Sequence, residues 1–416
     1  MLIRSASLAL ALLAAAPSHA QKKVKVMGFY PDYSAGGIAN TQAANLSHTI
    51  YFSIKPPTDG NVTDDYIINS IDAQRMIDMV DQGKTKGMGV LLCVGGAAES
   101  ANFPSLAGNA TARKKFASTL ADFCTGNGLA GVDIDWEFPG GGGSYGFQEL
   151  VKDLKSAFAP KKLIVTASVN GPDNSQYTNE ALQALDGVLI MSYDNDWPPG
   201  SAPHSTLAHA QQHLTAYAGK VGAANKGKLM LGVPFYGKAS GQTPKSYKDI
   251  LAANPGMDPT VDNGGGFNFN GTTTLTQKTQ YVIDQGYGGI MIWNLVQDAT
   301  DYRLLNSIGK AIKDKGAVID QFTPIVSNQR IRKTAYARYG IRPWKGDGRV
   351  RMIGEGHSRL SLYSPDGRGL GAMSISQNVE AAPLPEAAGR ILYRIDTPAG
   401  GSSVATETGS ASFTGR

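Results

Sequence analysis

Eight short β-like runs recur between residues 24 and 295, and most of the stretches between them are long enough for a helix. The runs cover residues 24–30, 46–54, 89–94, 131–137, 163–169, 187–193, 229–235 and 289–295. Such alternation is typical of βα units around a parallel sheet. A doubly wound open sheet seldom repeats eight even units, and no G-x-G-x-x-G follows the first run. We therefore predict an α/β fold whose eight strands close into a (β/α)8 TIM barrel.

The N-terminus has the pattern of a secretory signal peptide over residues 1–20. Arg4 supplies positive charge, residues 8–16 form a short apolar region, and Ser18 and Ala20 bracket a small-x-small cleavage site before Gln21. No other stretch has about 18 consecutive apolar residues, so we expect no membrane span. The mature protein is expected to be secreted, to the periplasm or the extracellular space.

The composition changes near residue 316. With 416 residues, of which 42% are hydrophobic, the chain has room for one large domain and a small one. We expect the barrel domain over 21–316, a basic linker over 317–345, and a small β-rich module or partly disordered tail over 346–416. Its β-like runs lie at 349–353, 359–363 and 390–395.

The basic excess is confined to the C-terminal part. From residue 317 onward there are 13 Lys and Arg against 8 Asp and Glu, which accounts for the whole formal charge of +5. A basic patch invites a nucleic-acid or membrane-surface interpretation, but this stretch lacks a binding motif. We favour a solvated linker and expect no nucleic-acid partner.

Only two cysteines are present, Cys93 and Cys124, which excludes a disulfide scaffold and a cysteine-based metal site. Export permits a disulfide. However, one residue is predicted on an inner strand and the other on an outer helix, a geometry that seldom suits a bridge. We favour free thiols and leave the pairing open.

The run 131–137 places carboxylates at alternate positions within an apolar sequence. In a strand, Asp133, Asp135 and Glu137 share one face, while Ile134 and Trp136 occupy the other. Neighbouring carboxylates then lie roughly 6 to 7 Å apart, close enough in a poorly solvated cavity to raise one another's pKa. Catalysis by a carboxylic acid is the function that this pattern favours.

Other chemistry-bearing residues lie at the ends of neighbouring runs. Glu137, Asp194, Trp293 and Gly96 all fall at carboxyl ends, which meet at one mouth of a parallel barrel and carry the catalytic residues of such folds. Three carboxylates also suit a Ca²⁺ or Mg²⁺ site. The EF-hand spacing is absent and the chain has only six histidines, so we predict neither a metal nor another cofactor; insensitivity to EDTA is the corresponding test.

The motifs resemble family 18 glycoside hydrolases, the chitinases and their relatives. The sequence Gly-Val-Asp-Ile-Asp-Trp-Glu at 131–137 is similar to their Asp-x-x-Asp-x-Asp-x-Glu motif. The sequences Leu-Leu-Cys-Val-Gly-Gly at 91–96, Met-Ser-Tyr-Asp at 191–194, Gly-Val-Pro-Phe-Tyr-Gly at 232–237 and Gly-Gly-Ile-Met-Ile-Trp at 288–293 resemble elements of the third, sixth, seventh and eighth strands. The resemblance spans roughly residues 23–315.

Two positions depart from the family pattern. Ala130 stands where the motif has its first Asp, and Cys93 stands where the third-strand element has Ser. The resemblance implies that both missing residues support the inner carboxylates through hydrogen bonds. We therefore expect a shifted pKa at Asp133, with the general acid Glu137 retained.

The resemblance also implies a role for each catalytic residue in a retaining, substrate-assisted hydrolysis. Glu137 protonates the glycosidic oxygen while the 2-acetamido carbonyl of the sugar attacks its own C1 to form an oxazolinium ion. Asp135 orients the acetamido N–H, Asp133 supports Asp135 and shares its proton, and Tyr193 hydrogen-bonds the acetamido oxygen. Asp194 contacts the same sugar, and Trp293 forms an apolar floor.

Further substrate-binding candidates are weaker, because each is also plausible as packing. They are Met191, Tyr30, Phe52, Tyr236 and Gly96.

The resemblance favours a secreted, endo-acting chitinase that binds chitin or an N-acetylglucosamine-containing oligosaccharide as a monomer. The alternatives are an endo-β-N-acetylglucosaminidase acting on N-glycans and a non-catalytic chitin-binding lectin; such lectins usually lack the acidic Glu. The segment after the seventh run leaves no room for a large α+β insertion. We therefore expect a shallow, open groove.

Overall fold

The computed structural model describes residues 21–34, 37–140 and 143–323, together with seven strands between residues 339 and 412. Each predicted run overlaps one strand of a parallel sheet. The eight strands are β1 (Lys23–Pro31), β2 (His48–Ile54), β3 (Gly89–Gly95), β4 (Gly131–Asp135), β5 (Ile164–Asn170), β6 (Gly187–Met191), β7 (Leu229–Pro234) and β8 (Gly289–Trp293).

The sheet closes because every strand pairs with its neighbour in sequence and the last pairs with the first. Met27 of β1 lies opposite Met291 of β8, and Tyr30 of β1 lies opposite Tyr51 of β2, both in parallel register. The prediction of a (β/α)8 TIM barrel is therefore confirmed. Its carboxyl-end mouth collects the ends of all eight strands.

Helices cover the outside of the barrel between successive strands. Polar residues cap several of their N-termini; Asn109, for example, accepts hydrogen bonds from the backbone N–H groups of Thr111 and Ala112. The helices are α1 (Asn40–Ala43), α2 (Asp64–Ser70), α3 (Ala73–Lys86), α4 (Phe103–Gly108), α5 (Ala110–Asn127), α6 (Gly143–Phe158), α7 (Asn179–Ala184), α8 (Leu207–Val221), α9 (Tyr247–Ala253), α10 (Thr272–Gln285) and α11 (Arg303–Asp314).

Strand alternation divides the apolar side chains into two clusters. The larger cluster lies between the strands and the helices and includes Val132, Ile134 and Trp136. The smaller cluster fills the barrel interior and is built from the opposite faces of the strands; its buried members are Met27, Phe29, Ile50, Leu91, Cys93, Ala130, Leu189, Met230 and Met291. The interior is thus a packed core beneath the mouth rather than a channel.

The segment between β7 and β8 contains α9 and two short hairpins. Residues Tyr236–Gly237 pair with Lys245–Ser246, and Asn263–Gly264 pair with Phe267–Asn268. Helix α10 begins at Thr272, shortly after the second hairpin. This segment is helical because buried residues recur at helical spacing along it, namely Leu275, Thr279, Val282 and Ile283.

The N-terminal end of the barrel is covered by a segment that the sequence assigned to the linker. Strand β9 (Val318–Ile319) pairs with the start of β1, and the Asp320 carboxylate lies 3.4 Å from the ammonium group of Lys23. The Phe322 ring lies 5.4 Å from the His48 ring, centroid to centroid. The packed domain therefore extends beyond the expected boundary at 316, through these residues.

The signal peptide predicted over 1–20 lies outside the described residues, as does most of the linker. Among the described helices, none combines the length and the apolar character needed to cross a bilayer. In the C-terminal part, all three predicted β-like runs fall within strands, namely Arg349–Gly354, His357–Tyr363 and Arg390–Pro398. The last two pair with each other in an antiparallel sheet with Gly369–Ser376 and Val404–Ser412.

The Phe322 ring should contribute to the stability of the barrel domain. Truncation in Phe322→Ala removes the apolar contacts of this half-buried ring with the interior cluster, so we expect the free energy of unfolding to fall by about 2 kcal/mol. Urea denaturation provides the measurement. The matched control is Val318→Ala, at an exposed position on β9, which should change the stability by less than about 0.5 kcal/mol; equal effects of the two variants would contradict the assignment.

Candidate active site

Two of the three predicted carboxylates lie on β4, and both are buried. Asp133 is 0% exposed and Asp135 is 3% exposed, whereas Val132 and Ile134 point to the outer cluster. The strand ends at Asp135. Glu137 lies two residues beyond that end and is half-buried, so it stands nearer to solvent than the two aspartates.

The pKa of each of the three carboxyl groups is raised. Burial raises the pKa of Asp133 to about 6, against the lowering effect of hydrogen bonds from Thr166 and Ser168. Burial, followed by the charges of Glu137 and Asp133, raises the pKa of Asp135 well above its usual range. Burial is the largest cause in all three groups, and at Asp135 the two neighbouring carboxylates add to it.

Glu137 has a pKa that suits proton donation near neutral pH. Burial raises its pKa to about 6, the negative charge of Asp194 acts in the same direction, and a backbone N–H from Ala97 opposes both. A general acid works best when its pKa lies near the working pH. The environment of Glu137 meets that requirement.

Ser100 joins the end of β3 to the end of β4. Its hydroxyl oxygen lies 2.9 Å from the Gly96 carbonyl oxygen and 3.1 Å from that of Asp135. The same oxygen accepts the backbone N–H of Glu137 at 2.9 Å. Ser100 thus holds the backbone of the acid in place; nothing in its sequence context distinguishes it from a helix-forming serine.

Gly95 and Gly96 are required by close packing at the mouth. Both have positive φ, +107° and +104°. A Cβ at residue 95 would lie 2.2 Å from the Asp135 carbonyl oxygen, and a Cβ at residue 96 would lie 2.5 Å from the Phe52 ring. The observed role of Gly96 is therefore to let the Phe52 ring and the β4 backbone approach, and its N–H donates to the Asp135 carbonyl.

Trp293 ends β8 in an aromatic cluster at the mouth. Its ring centroid lies 4.8 Å from that of Phe52 and 5.2 Å from that of Phe29. Both Trp293 and Phe52 are only partly buried. Their arrangement provides an apolar surface beside the carboxylates.

Tyr193 and Asp194 follow the end of β6. Among the described residues, the Tyr193 hydroxyl has one partner, the Met291 sulfur at 3.9 Å, which is a weak acceptor. Asp194 adopts a left-handed backbone conformation with φ +58° and is exposed. Met191, the last residue of β6, is partly buried against the interior cluster.

Three side chains surround one oxygen of Asp194. Its Oδ1 accepts the Tyr236 hydroxyl at 2.7 Å and lies 3.3 Å from both His204 Nδ1 and Lys238 Nζ. Burial favours a higher pKa for Asp194, but these hydrogen bonds and the lysine charge outweigh it, so the pKa is lowered. Lys238 is itself fixed by Asp196, whose carboxylate oxygen lies 2.8 Å from the ammonium group.

Two predicted substrate-binding residues occupy other environments. Tyr30 is 1% exposed and stacks on Tyr51 in the outer cluster, which favours a packing role over the predicted contact with the sugar. Tyr236 is also buried, with its hydroxyl on Asp194 and its ring against Tyr193 and His204. In the structure, Tyr236 orients Asp194 through this hydrogen bond.

The donor set does not match a metal centre. In the part of the chain that the structure describes, no group of three or more His, Cys, Asp or Glu side chains is arranged to hold an ion. Both oxygens of Asp133 are already occupied by hydroxyl donors, Thr166 at 2.5 Å and Ser168 at 2.9 Å.

Both cysteines are free and buried, as the sequence favoured.

Comparison with known proteins identifies the class and then the family. A closed parallel barrel with carboxylic acids at its carboxyl-end mouth is an arrangement shared by many hydrolases. The model of the family described as "Glycosyl hydrolases family 18" matches residues 25–298. The chain therefore belongs to glycosyl hydrolases family 18.

Individual relatives are distant in sequence. Chitinase 1 of Aphanocladium album is 26% identical over 267 residues, which cover 50% of this chain and 62% of that protein. The chain spans less than two thirds of the length of such curated relatives.

Solved structures of similar proteins extend the comparison. The GH18 chitinase ChiB from the chitin utilization locus of Flavobacterium johnsoniae is 26% identical with a TM-score of 0.61, over 71% of this chain and 95% of that one. The chitinase-like agglutinin RobpsCRA from Robinia pseudoacacia, 22% identical with a TM-score of 0.59 over 68% and 98%, shares the fold.

The raised pKa of Asp133 should make stability depend on pH. Its pKa is near 3.8 when unfolded and about 6 when folded, so the folded state binds the proton more tightly and loses stability as pH rises between these values. Two pKa units correspond to about 3 kcal/mol. In Asp133→Asn, the fall in unfolding free energy between pH 4 and pH 8 should shrink by up to about that amount.

Chemical denaturation at both pH values measures this effect. Asp122→Asn serves as the control, because Asp122 is an exposed aspartate on α5 that forms an ion pair with Lys161 at the surface. It should leave the pH dependence close to that of the unmodified protein. An equally steep fall in Asp133→Asn would contradict the raised pKa.

Proposed function

We propose that the chain is a secreted chitinase that hydrolyses β-1,4-linked N-acetylglucosamine polymers with retention of configuration. The observation that carries this proposal is a pair of unmatched polar groups at the mouth. Among the described residues, buried Asp135 Oδ1 has no hydrogen-bond partner, and the Tyr193 hydroxyl has only the Met291 sulfur. An amide presents one N–H donor and one carbonyl acceptor, so an acetamido group would satisfy both.

An acetamido group bound in this way is also the nucleophile that the site requires. Most retaining glycosidases use a second carboxylate that attacks the sugar. Here we propose that Asp135 accepts the acetamido N–H while the acetamido oxygen, oriented by Tyr193, attacks C1. Glu137 donates its proton to the leaving oxygen and then accepts one from the water that opens the oxazolinium ion, which returns the β-configuration.

The other residues at the mouth support this step. Ionisation within the Asp133 and Asp135 pair stabilises the positive charge that develops on the oxazolinium ring. Trp293 provides the apolar floor for the distorted sugar. Asp194 contacts the same sugar, and its negative charge favours the protonated form of Glu137, which is consistent with the pKa of that acid.

The mode of action that fits best is internal cleavage of the polymer. Between β7 and the barrel helix α10, the chain forms α9 and two short hairpins, which supports a shallow groove open at both ends. We propose that the enzyme acts as a monomer on chitin or its oligosaccharides. The predicted signal peptide supports a location outside the cytoplasm.

Two alternatives make different predictions. An endo-β-N-acetylglucosaminidase would use the same acetamido chemistry but would cleave the core of N-glycans. A chitin-binding lectin of the same fold, a possibility suggested by the likeness to an agglutinin, would bind without cleaving. The half-buried Glu137 with a pKa of about 6 favours an enzyme over the lectin.

Replacing the proposed acid should separate catalysis from binding. In Glu137→Gln we expect turnover of chitin oligomers to fall by about 10²- to 10⁴-fold, because the protonation of the leaving group is lost. Oligosaccharide affinity, measured by calorimetry, should stay within a few-fold of the unmodified enzyme. The control is Glu180→Gln in the first turn of α7, which should keep full activity; unchanged turnover in Glu137→Gln would overturn the assignment.

The products identify both substrate and mechanism. Chitin oligomers and an N-glycopeptide are digested side by side, and the anomers formed at early times are recorded by NMR. We expect cleavage of the oligomers into mixed lengths with initial β-anomers. Cleavage of the glycopeptide alone would support the endo-β-N-acetylglucosaminidase, initial α-anomers would contradict acetamido participation, and early accumulation of one disaccharide would contradict internal cleavage.

A further inference from the structure

Asp133 is held from one side of the barrel only. Strand β5 places two hydroxyl side chains next to it, because Thr166 pairs directly with Asp133 and Ser168 lies two residues further along the same face. Thr166 donates to Asp133 Oδ1 at 2.5 Å, and Ser168 donates to Oδ2 at 2.9 Å. Each carboxylate oxygen thus has one donor, and both donors come from β5.

The opposite neighbour offers no comparable donor. On β3, the residue paired with Asp133 is Cys93, which is 0% exposed within the apolar interior cluster. A thiol is a weak donor, and within the described residues Cys93 makes no hydrogen bond to a carboxylate. Ala130, the residue before the start of β4, belongs to the same apolar cluster and has no polar atom in its side chain.

Among the described residues, no cation acts on this group of carboxyls. The titratable groups that interact with Asp133, Asp135 or Glu137 include the Cys93 thiol on β3, the Tyr193 phenol and Asp194, the last two after β6. Each carries either a negative charge or none. The two β5 hydroxyls are therefore the groups that favour the ionised form of Asp133.

We propose that Thr166 and Ser168 are positioning residues for the reaction. Their hydrogen bonds together hold Asp133 against β5, whereas Cys93 on β3 provides no comparable hydrogen bond. This two-hydroxyl clamp occupies both oxygens of Asp133. Consequently the oxygens of Asp133 do not need a hydrogen bond from Asp135. Asp135 Oδ1 remains available for the N–H of the substrate. The inference rests on the proposed function for its kinetic consequences.

Changes on the two sides of Asp133 should act in opposite directions. In Thr166→Val or Ser168→Ala, Asp133 loses a donor, so its pKa should rise and the acidic limb of the kcat profile should move to higher pH by about half a unit or more. We expect kcat to fall roughly tenfold with KM within about twofold. Cys93→Ser adds a hydroxyl in the same space and should move the acidic limb to lower pH.

Conservative and remote variants complete the experiment. Thr166→Ser keeps the donor and should restore the profile of the unmodified enzyme. Cys124→Ser replaces the other buried thiol, which lies on α5 in the outer cluster, and Thr279→Val removes a buried hydroxyl on α10 that binds the Leu275 carbonyl. Neither control should shift the acidic limb, because neither residue touches the carboxylates.

Three outcomes decide the matter. Opposite shifts in Thr166→Val and Cys93→Ser, with rescue by Thr166→Ser, support the clamp. An unchanged acidic limb, or shifts in the same direction, would overturn it, since a packing defect has no reason to reverse sign. If Thr166→Val fails to fold, Ser168→Ala and Cys93→Ser carry the same contrast.

A failure of the proposed function is distinguishable from a failure of the clamp. If the unmodified protein cleaves neither chitin oligomers nor a glycopeptide, the pH dependence of the unfolding free energy still reports on Asp133. Loss of a β5 hydroxyl should then steepen the fall in stability as pH rises through about 6, and Cys93→Ser should flatten it. Equal slopes in all variants would overturn the clamp by itself.

Discussion

Burial of three carboxyl groups in one poorly solvated space is the constraint on which the mouth of this barrel depends. The alternation of β4 directs Asp133 and Asp135 inward, and the turn after the strand brings Glu137 beside them. Because burial and neighbouring charge both disfavour ionisation, protons stay on these groups at a pH where isolated carboxylates would have lost them. The surrounding strands counter this cost selectively, with hydroxyls at Asp133, a backbone N–H at Glu137, and nothing at Asp135 Oδ1.

The barrel interior below these carboxyl groups is apolar. Apolar side chains such as Met27, Ile50 and Met230 fill the barrel interior, and the β4 carboxylates lie between this core and the mouth. The second carboxylate network, around Asp194, contains its own cation in Lys238 and is anchored by Asp196. One network is therefore balanced by a positive charge and held ionised, whereas the other lacks such a charge and retains protons. The contrast between them assigns different chemistry to the carboxylates at the ends of β4 and β6.

Periodicity predicted the barrel and the face of each β4 side chain, since a strand of period 2 separates Asp133 and Asp135 from Ile134 and Trp136. It could not decide the side of Tyr30, because strands of a parallel barrel are apolar on both faces. Thr166, Ser168 and Ser100 were missed for a related reason. A hydroxyl becomes significant only through the partner that pairing brings beside it, and strand register across β3, β4 and β5 is not visible in one sequence. The contacts of Val318 and Phe322 with β1 and His48 join residues distant in the chain, so the sequence alone does not reveal them either.

The pairing of β9 with β1 brings both ends of the barrel domain to the same face, opposite the carboxylates. Lys23 and Val318 are neighbours there although almost three hundred residues separate them in sequence. A tether or fused domain attached at either end would therefore approach from below and leave the cleft pointing away from its support. The same proximity makes the domain a candidate for circular permutation, in which the old ends are joined by a short linker and new ones are opened in a surface loop.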